Sequence, residues 1–176
     1  MRTIIFLFFA AVFMLTCSKA ISQNSVVMKA LSGTTKLNGG STVAGHLGEI
    51  DVLSNSQGED YCPSCNKASI SDFSFLFVLD PATIAFKKLL LTGTKLTSVD
   101  VTFIKGGATP LEYYKIHMED VMVTSFQESA STDIPTISVS LAPSRIAWQQ
   151  NKTAGTTGKS SYGWDVVNNV EWIYAF

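Results

Sequence analysis

Alternation between apolar and polar positions is the first regularity along this chain. In "TSVDVTF", Val99, Val101 and Phe103 fall on one face of an extended strand, and Ser98, Asp100 and Thr102 fall on the other. In "PTISVSLA", Ile137, Val139 and Leu141 alternate with Thr136, Ser138 and Ser140 in the same way. A third run, "SDFSFLFVL", puts Phe73, Phe75, Phe77 and Leu79 on one face. Its other face carries Ser74, Leu76 and Val78, so one end is apolar on both sides. Such a strand is covered by another element or lies against a partner chain, which makes Ser74, Leu76 and Val78 candidate subunit-interface positions.

Further strands are expected at "NSVVMKAL", "GEIDVLS", "SRIAWQQ" and "GWDVVNNVEW", separated by glycine- and asparagine-rich breaks. The run from Glu112 to Phe126 is about twice the usual strand length. Its inward set changes face near Glu119–Asp120, as at a bulge or a barrel corner. One segment departs from the pattern. "DPATIAFKKLLLTG" opens with Asp80 as N-cap and Pro81 at the first helical position, and it ends at Gly93. These signals predict a helix over about 81–92. The pattern as a whole implies a mainly β fold: an antiparallel β-barrel with one flanking α-helix.

The first residues alter the picture. "MRTIIFLFFAAVFMLTCSKAISQ" has Arg2, an unbroken apolar run from Ile4 to Leu15, and then small and polar residues. This reads as a secretory signal, since a spanning helix needs about 20 apolar residues. Cleavage is expected after Ala20 or Ser22, with lipidation at Cys17 as the rival reading. Residues 1–22 are then a signal peptide and 23–176 a single domain, placed in the periplasm or outside the cell. Losing Arg2 and Lys19 moves the formal charge from −1 to −3. No basic run or stripe exists, which excludes a nucleic-acid or anionic-membrane surface, and no second apolar run suggests an integral membrane protein.

The inventory for catalysis is thin. His46 sits in a glycine-rich loop. His117 alternates away from Tyr114, Ile116 and Met118. Neither has ligand partners at metal spacing, so both read as surface or interface histidines. Glu119 and Asp120 are strand neighbours and point to opposite faces; one is read as a solvated acid and the other as the acid at a turn or bulge. No G-x-S-x-G elbow or complete phosphate loop is present. Trp148, Trp164 and Trp172 could form a carbohydrate-stacking platform, although aromatic residues fill β cores and interfaces more often. No enzyme activity, cofactor or metal is expected.

"EDYCPSCNK" places Cys62 and Cys65 with two residues between them, as a redox couple, half a zinc site or a plain staple. Export favours a disulfide. A zinc site would need two more good ligands, and a thioredoxin-like role would need a helix N-terminus where Pro63 favours a turn between strands.

The order of segments resembles the Hcp (hemolysin-coregulated protein) family, the tube protein of type VI secretion systems. The resemblance runs through "VVMKA", "GSTVAGHLGEIDVLSNSQG", "LLLTGTKLTSVDVTFIKGG", "LEYYKIHMEDVMVTSF", "SVSLAPSRIAWQQ" and "GWDVVNN", about residues 26–169. It implies hexameric rings that stack into a tube carrying effectors, with secretion-apparatus components as partners and no catalytic residues. It also implies that the loop holding Cys62 and Cys65 projects from the barrel and helps rings stack. The leader, the "CPSC" insertion and the tail "EWIYAF" depart from the family pattern. The alternative reading is a monomeric secreted β-barrel that binds glycan or a partner protein.

Overall fold

The computed structural model describes residues 23–107, 109–131, 133–151 and 158–176. The leader, with Cys17, and most of the loop after Asn151 lie outside the described residues. The strands are β1 (Ser25–Ser32), β2 (Thr35–Lys36), β3 (Ile50–Asp51), β4 (Ser54–Ser56), β5 (Glu59–Cys62), β6 (Lys67–Ile70), β7 (Phe73–Val78), β8 (Leu96–Lys105), β9 (Leu111–Ser129), β10 (Thr136–Ala142), β11 (Arg145–Asn151), β12 (Lys159–Asp165) and β13 (Val170–Glu171). The helix α1 (Thr83–Thr92) lies between β7 and β8.

All strand pairs are antiparallel. Going round the barrel, β1 pairs with β8, β8 with β9, β9 with β10, β10 with β7 and β7 with β4. The return to β1 is made by β3, which lies just before β4 in the chain. Between them Val52 N–H bonds the Val26 carbonyl and Leu53 N–H bonds the Leu76 carbonyl. One short segment thus changes partner across the seam, so the sheet is not closed by strand pairing there and its two edges are joined only through this segment.

The long strand β9 carries the corner that the sequence predicts. Residues 114–119 pair with β11, and residues 122–129 pair with β10 along the same edge. Between them Asp120 takes φ +49°, a left-handed conformation that asparagine and aspartate tolerate better than most residues. Ser144 fastens the bend, donating its N–H to the Glu119 carbonyl and its hydroxyl to the Asp120 carbonyl at 3.0 and 3.1 Å. The inward set shifts there from Ile116 and Met118 to Val121 and Val123, all buried.

The core is the meeting of the two inner faces. Met28, Val101 and Ile116 form one cross-strand row, and Ala30, Val99, Met118 and Ile146 form the next. Opposite them stand Phe73, Phe75 and Phe77 of β7 with Ile137, Val139 and Leu141 of β10. Leu79 is a correction to the sequence reading: β7 ends at Val78, and Leu79 leaves the inward face for solvent.

Helix α1 starts two residues later than expected. Ala82 rather than Asp80 is its N-cap, with no side-chain cap hydrogen bond. Asp80 instead closes the turn before it, where Asp80 Oδ1 accepts from the Ala82 N–H at 2.7 Å and Thr83 Oγ1 accepts from the Asp80 N–H at 3.0 Å. This exchange consumes Pro81 and Ala82 in a turn before the helix proper. Gly93 ends it at φ +63°, with its N–H on Leu90 O and that of Thr94 on Leu89 O, a Schellman closure. Phe86 anchors the helix in the core, 5.8 Å from the Phe77 ring.

The C-terminal segment is a second correction. "GWDVVNNVEW" is not one strand: it ends β12, turns at 166–169 and begins β13. The Asn168 backbone and side-chain amides both donate to the Asp165 carboxylate, and Asn169 takes φ +56°. Two acceptor oxygens aimed at one turn outweigh strand propensity here. The strands β11, β12 and β13 therefore form a wing that continues the β1–β8–β9 sheet beyond the barrel.

Candidate functional site

Three surface features sit on this frame. The first is the hairpin β5–β6, a two-stranded sheet separate from the barrel sheet. Gly58 and Ser71 lock its base: Ser71 N–H and hydroxyl both donate to the Gly58 carbonyl, and Gly58 N–H donates to Ser71 Oγ at 2.8 Å. Ala68 N–H ties it to the wing through Asn169 Oδ1 at 3.0 Å. Cys62 and Cys65 are joined by a disulfide across the exposed turn, their Cα atoms 5.5 Å apart. The Tyr61 hydroxyl donates to Asn66 Oδ1 at 2.6 Å, and Asn66 takes the positive φ that the turn needs. No helix follows the cysteines, so nothing in this turn supplies the N-terminal dipole of a redox CxxC site.

Under the hairpin runs an open trough of about 250 Å³, lined by Ala68 and Ile70 on one side and Trp148, Tyr162 and Trp164 on the other. Trp172 is not part of it. The three tryptophans therefore do not share one platform.

The second feature is the outward face of β7. Ser74 and Leu76 are half-buried and Val78 is exposed. Ser74 Oγ lies 3.0 Å from Ser140 Oγ, and the neighbouring outward residues on β10 are Thr136 and Ser138. These outward side chains of β7 and β10 are all uncharged.

The third is the outward face of the β1–β8–β9–β11–β12 sheet, where sequence reasoning missed most. Lys29, Asp100, His117, Ala147 and Gly163 form one row across five strands. The C-terminal tail after β13 lies over this row. Trp172 N–H donates to the Gly163 carbonyl at 2.9 Å, and Tyr174 stacks on His117 at 3.9 Å with ring planes 9° apart. Gly163 is required here, because a Cβ would stand 2.4 Å from the Trp172 carbonyl oxygen. His117, expected as a surface or interface histidine, is covered by the chain's own tail and only 6% exposed, with Nδ1 2.6 Å from Asp100. Burial raises the Tyr174 phenol above its ordinary range, helped by Asp100 and Glu119.

Beside it Arg145 bridges Asp165 and Glu119 at 3.3 and 3.2 Å and lies over the Trp172 ring. Glu119 is thus ion-paired rather than simply solvated. Asp165 is held below the usual carboxylate range, first by the Asn168 backbone N–H.

His46 also has partners the sequence did not disclose. Its loop folds over the same sheet, placing Nδ1 2.9 Å from Glu49 and Nε2 3.1 Å from Glu112. Lys115 binds Glu112 as well and is the main cause of that carboxyl's lowered pKa. The spacing of His46 and Glu49 hinted at the first contact; the second depends on register alone.

Lys29, His46, Glu49, Asp100 and Lys115 line one open pocket of about 260 Å³ beside Tyr174 and Phe176, and His46, Glu49, Glu112 and Lys115 are paired among themselves at its edge. Among the described residues no group of three or more His, Cys, Asp and Glu is placed to hold a metal ion. No described helix is long and apolar enough to cross a membrane.

Comparison with known proteins agrees with this picture. The family described as "Type VI secretion system effector, Hcp" matches residues 28–150. No curated relative matches the chain at the sequence level. Among solved structures, Hcp1 from Salmonella typhimurium is 24% identical, with a TM-score of 0.72 over 86% of this chain and 100% of that one. A type VI secretion system effector from Yersinia pestis is 25% identical, with a TM-score of 0.66 over 80% and 99%. The secreted protein Hcp3 from Pseudomonas aeruginosa is 17% identical, with a TM-score of 0.62 over 77% and 96%.

Proposed function

Because this chain belongs to the Hcp family of type VI secretion systems, whose members are structural tube subunits rather than enzymes, we propose that it assembles into hexameric rings that stack outside the cytoplasm. Residues 1–22 direct export, and residues 23–176 form the single ring-building domain. Ring neighbours meet along the outward face of β7, at Ser74, Leu76 and Val78. Secretion-apparatus components or effectors then engage the assembled ring.

The observation that supports this most is the hairpin β5–β6. It stands apart from the barrel sheet, and its exposed tip is clasped by Cys62–Cys65 although no core residue depends on the clasp. Closing so short a loop removes only about 2 kcal/mol of unfolded-state entropy in the chain-entropy model. The clasp therefore acts on local stiffness, which suits a loop that must meet the next ring in one shape.

The test is assembly of residues 23–176 with and without the clasp. Cys62→Ser/Cys65→Ser is expected to leave single rings intact while shortening or abolishing stacks seen by electron microscopy. Unchanged stacking, or loss of the barrel itself, would overturn the role given to the hairpin.

A further inference from the structure

Two groups of exposed apolar side chains stand out among the described residues. One lies where β7 ends. Leu79 N–H bonds the Pro135 carbonyl at 2.8 Å, which sets Val78 and Leu79 beside Ile134 in the β9–β10 loop. Helix α1 follows at once with Ile84 in its first turn. Ile134 is 65% exposed and Ile84 70%. The other patch is the rim of the wing, made by Val167, Val170 and Ile173. Trp172 and Tyr174 turn onto the sheet, so Ile173 between them is forced outward and is 90% exposed.

The patches are far apart. Val78 stands opposite Thr136, which stands opposite Ser129 on β9. Asp165 stands opposite Arg145, which stands opposite Glu119 on the same strand. From Glu119 to Ser129 the chain measures about 33 Å if straight and less across the bend at Asp120, before the width of the wing is added. A ring built by rotation uses two different surfaces on each copy, so two separated patches can meet head to tail and both be covered in every copy. Their margins also carry opposite charge. Lys88 on α1 and Glu171 on β13 are exposed, and neither has an ion-pair partner among the described residues.

We propose that the ring closes head to tail, with Val167, Val170 and Ile173 of one copy docked on Val78, Leu79, Ile84 and Ile134 of the next. This rests on the ring reading above and names the two surfaces that would build it. Lys88 and Glu171 at the margin set orientation, as rim charges do. The outward face of β7 contributes through its Val78 end.

The test uses Ile134→Asp and Ile173→Asp in residues 23–176, followed by native mass measurement over a concentration series. Both side chains are exposed, so each variant should keep the thermal midpoint of the unaltered chain. Each alone should raise the concentration at which rings form by about tenfold or more. Mixed in equal amounts they should give a species holding one copy of each, because each keeps the patch the other lacks. Rings that persist in either variant, or homodimers of either alone, overturn the surface assignment while leaving the ring reading standing. An unaltered chain that stays monomeric at every concentration sinks both.

Discussion

Replacing Gly163 by alanine tests whether the C-terminal tail is a strap held by the sheet beneath it. The added Cβ would meet the Trp172 carbonyl oxygen at 2.4 Å and the Ala147 Cβ at 3.3 Å. The first of these atoms is backbone and cannot rotate away, so the tail must lift. Lifting gives up the Trp172 N–H to Gly163 hydrogen bond, about 1 kcal/mol net. It also gives up the Tyr174–His117 stack, about 1 kcal/mol beyond area burial. Partial rewetting of the two rings adds roughly 1 kcal/mol. The expected loss is therefore about 2–3 kcal/mol from these contributions. In a chain ending at Glu171 the cost should fall to near zero, because only the 3.3 Å approach to the Ala147 Cβ remains and alanine in a strand interior is favoured over glycine by about 0.5–1 kcal/mol. Urea denaturation of the two parents and the two alanine variants forms a double-mutant cycle. An equal destabilisation by Gly163→Ala in both backgrounds would refute the strap.

Other outcomes follow from the same contacts. Phe77→Ala should cost about 3–5 kcal/mol in urea melts, since Phe77 is fully buried against Phe86. Asp120→Val should destabilise by about 1–2 kcal/mol and Asp120→Gly should not, because φ there is +49°. A depressed carboxyl contributes stability that is present above its ordinary value and lost as pH falls through its folded one. Asp165, ordinarily near 3.8, should thus add to the acid side of the stability profile below that value. Asp165→Asn should flatten that limb, read by urea midpoints between neutral pH and the acid transition.

Much of the barrel was legible in the residues because each strand buries one face. The alternations at Val99–Val101, Phe73–Phe75–Phe77 and Ile137–Val139–Leu141 state which face, and the core uses those side chains. The corner in β9 was also legible, since Glu119–Asp120 interrupts the alternation where the strand changes partner. The outward face of the first sheet was not. His117 points away from the core as its parity requires, yet it is buried by a tail more than fifty residues away in sequence. Register decides which row the tail crosses, and a single chain's pattern does not carry register between distant strands. The tie from His46 to Glu112 was hidden for the same reason. The turn at Asn168–Asn169 was locally readable from its two asparagines, but the surrounding valines and tryptophans favoured a strand.

The measurement that bears most directly on the account is the native mass of residues 23–176 across a concentration series, with electron microscopy of the largest species. Six-membered rings that stack through the hairpin face are the expected result. A chain that remains monomeric throughout would contradict it.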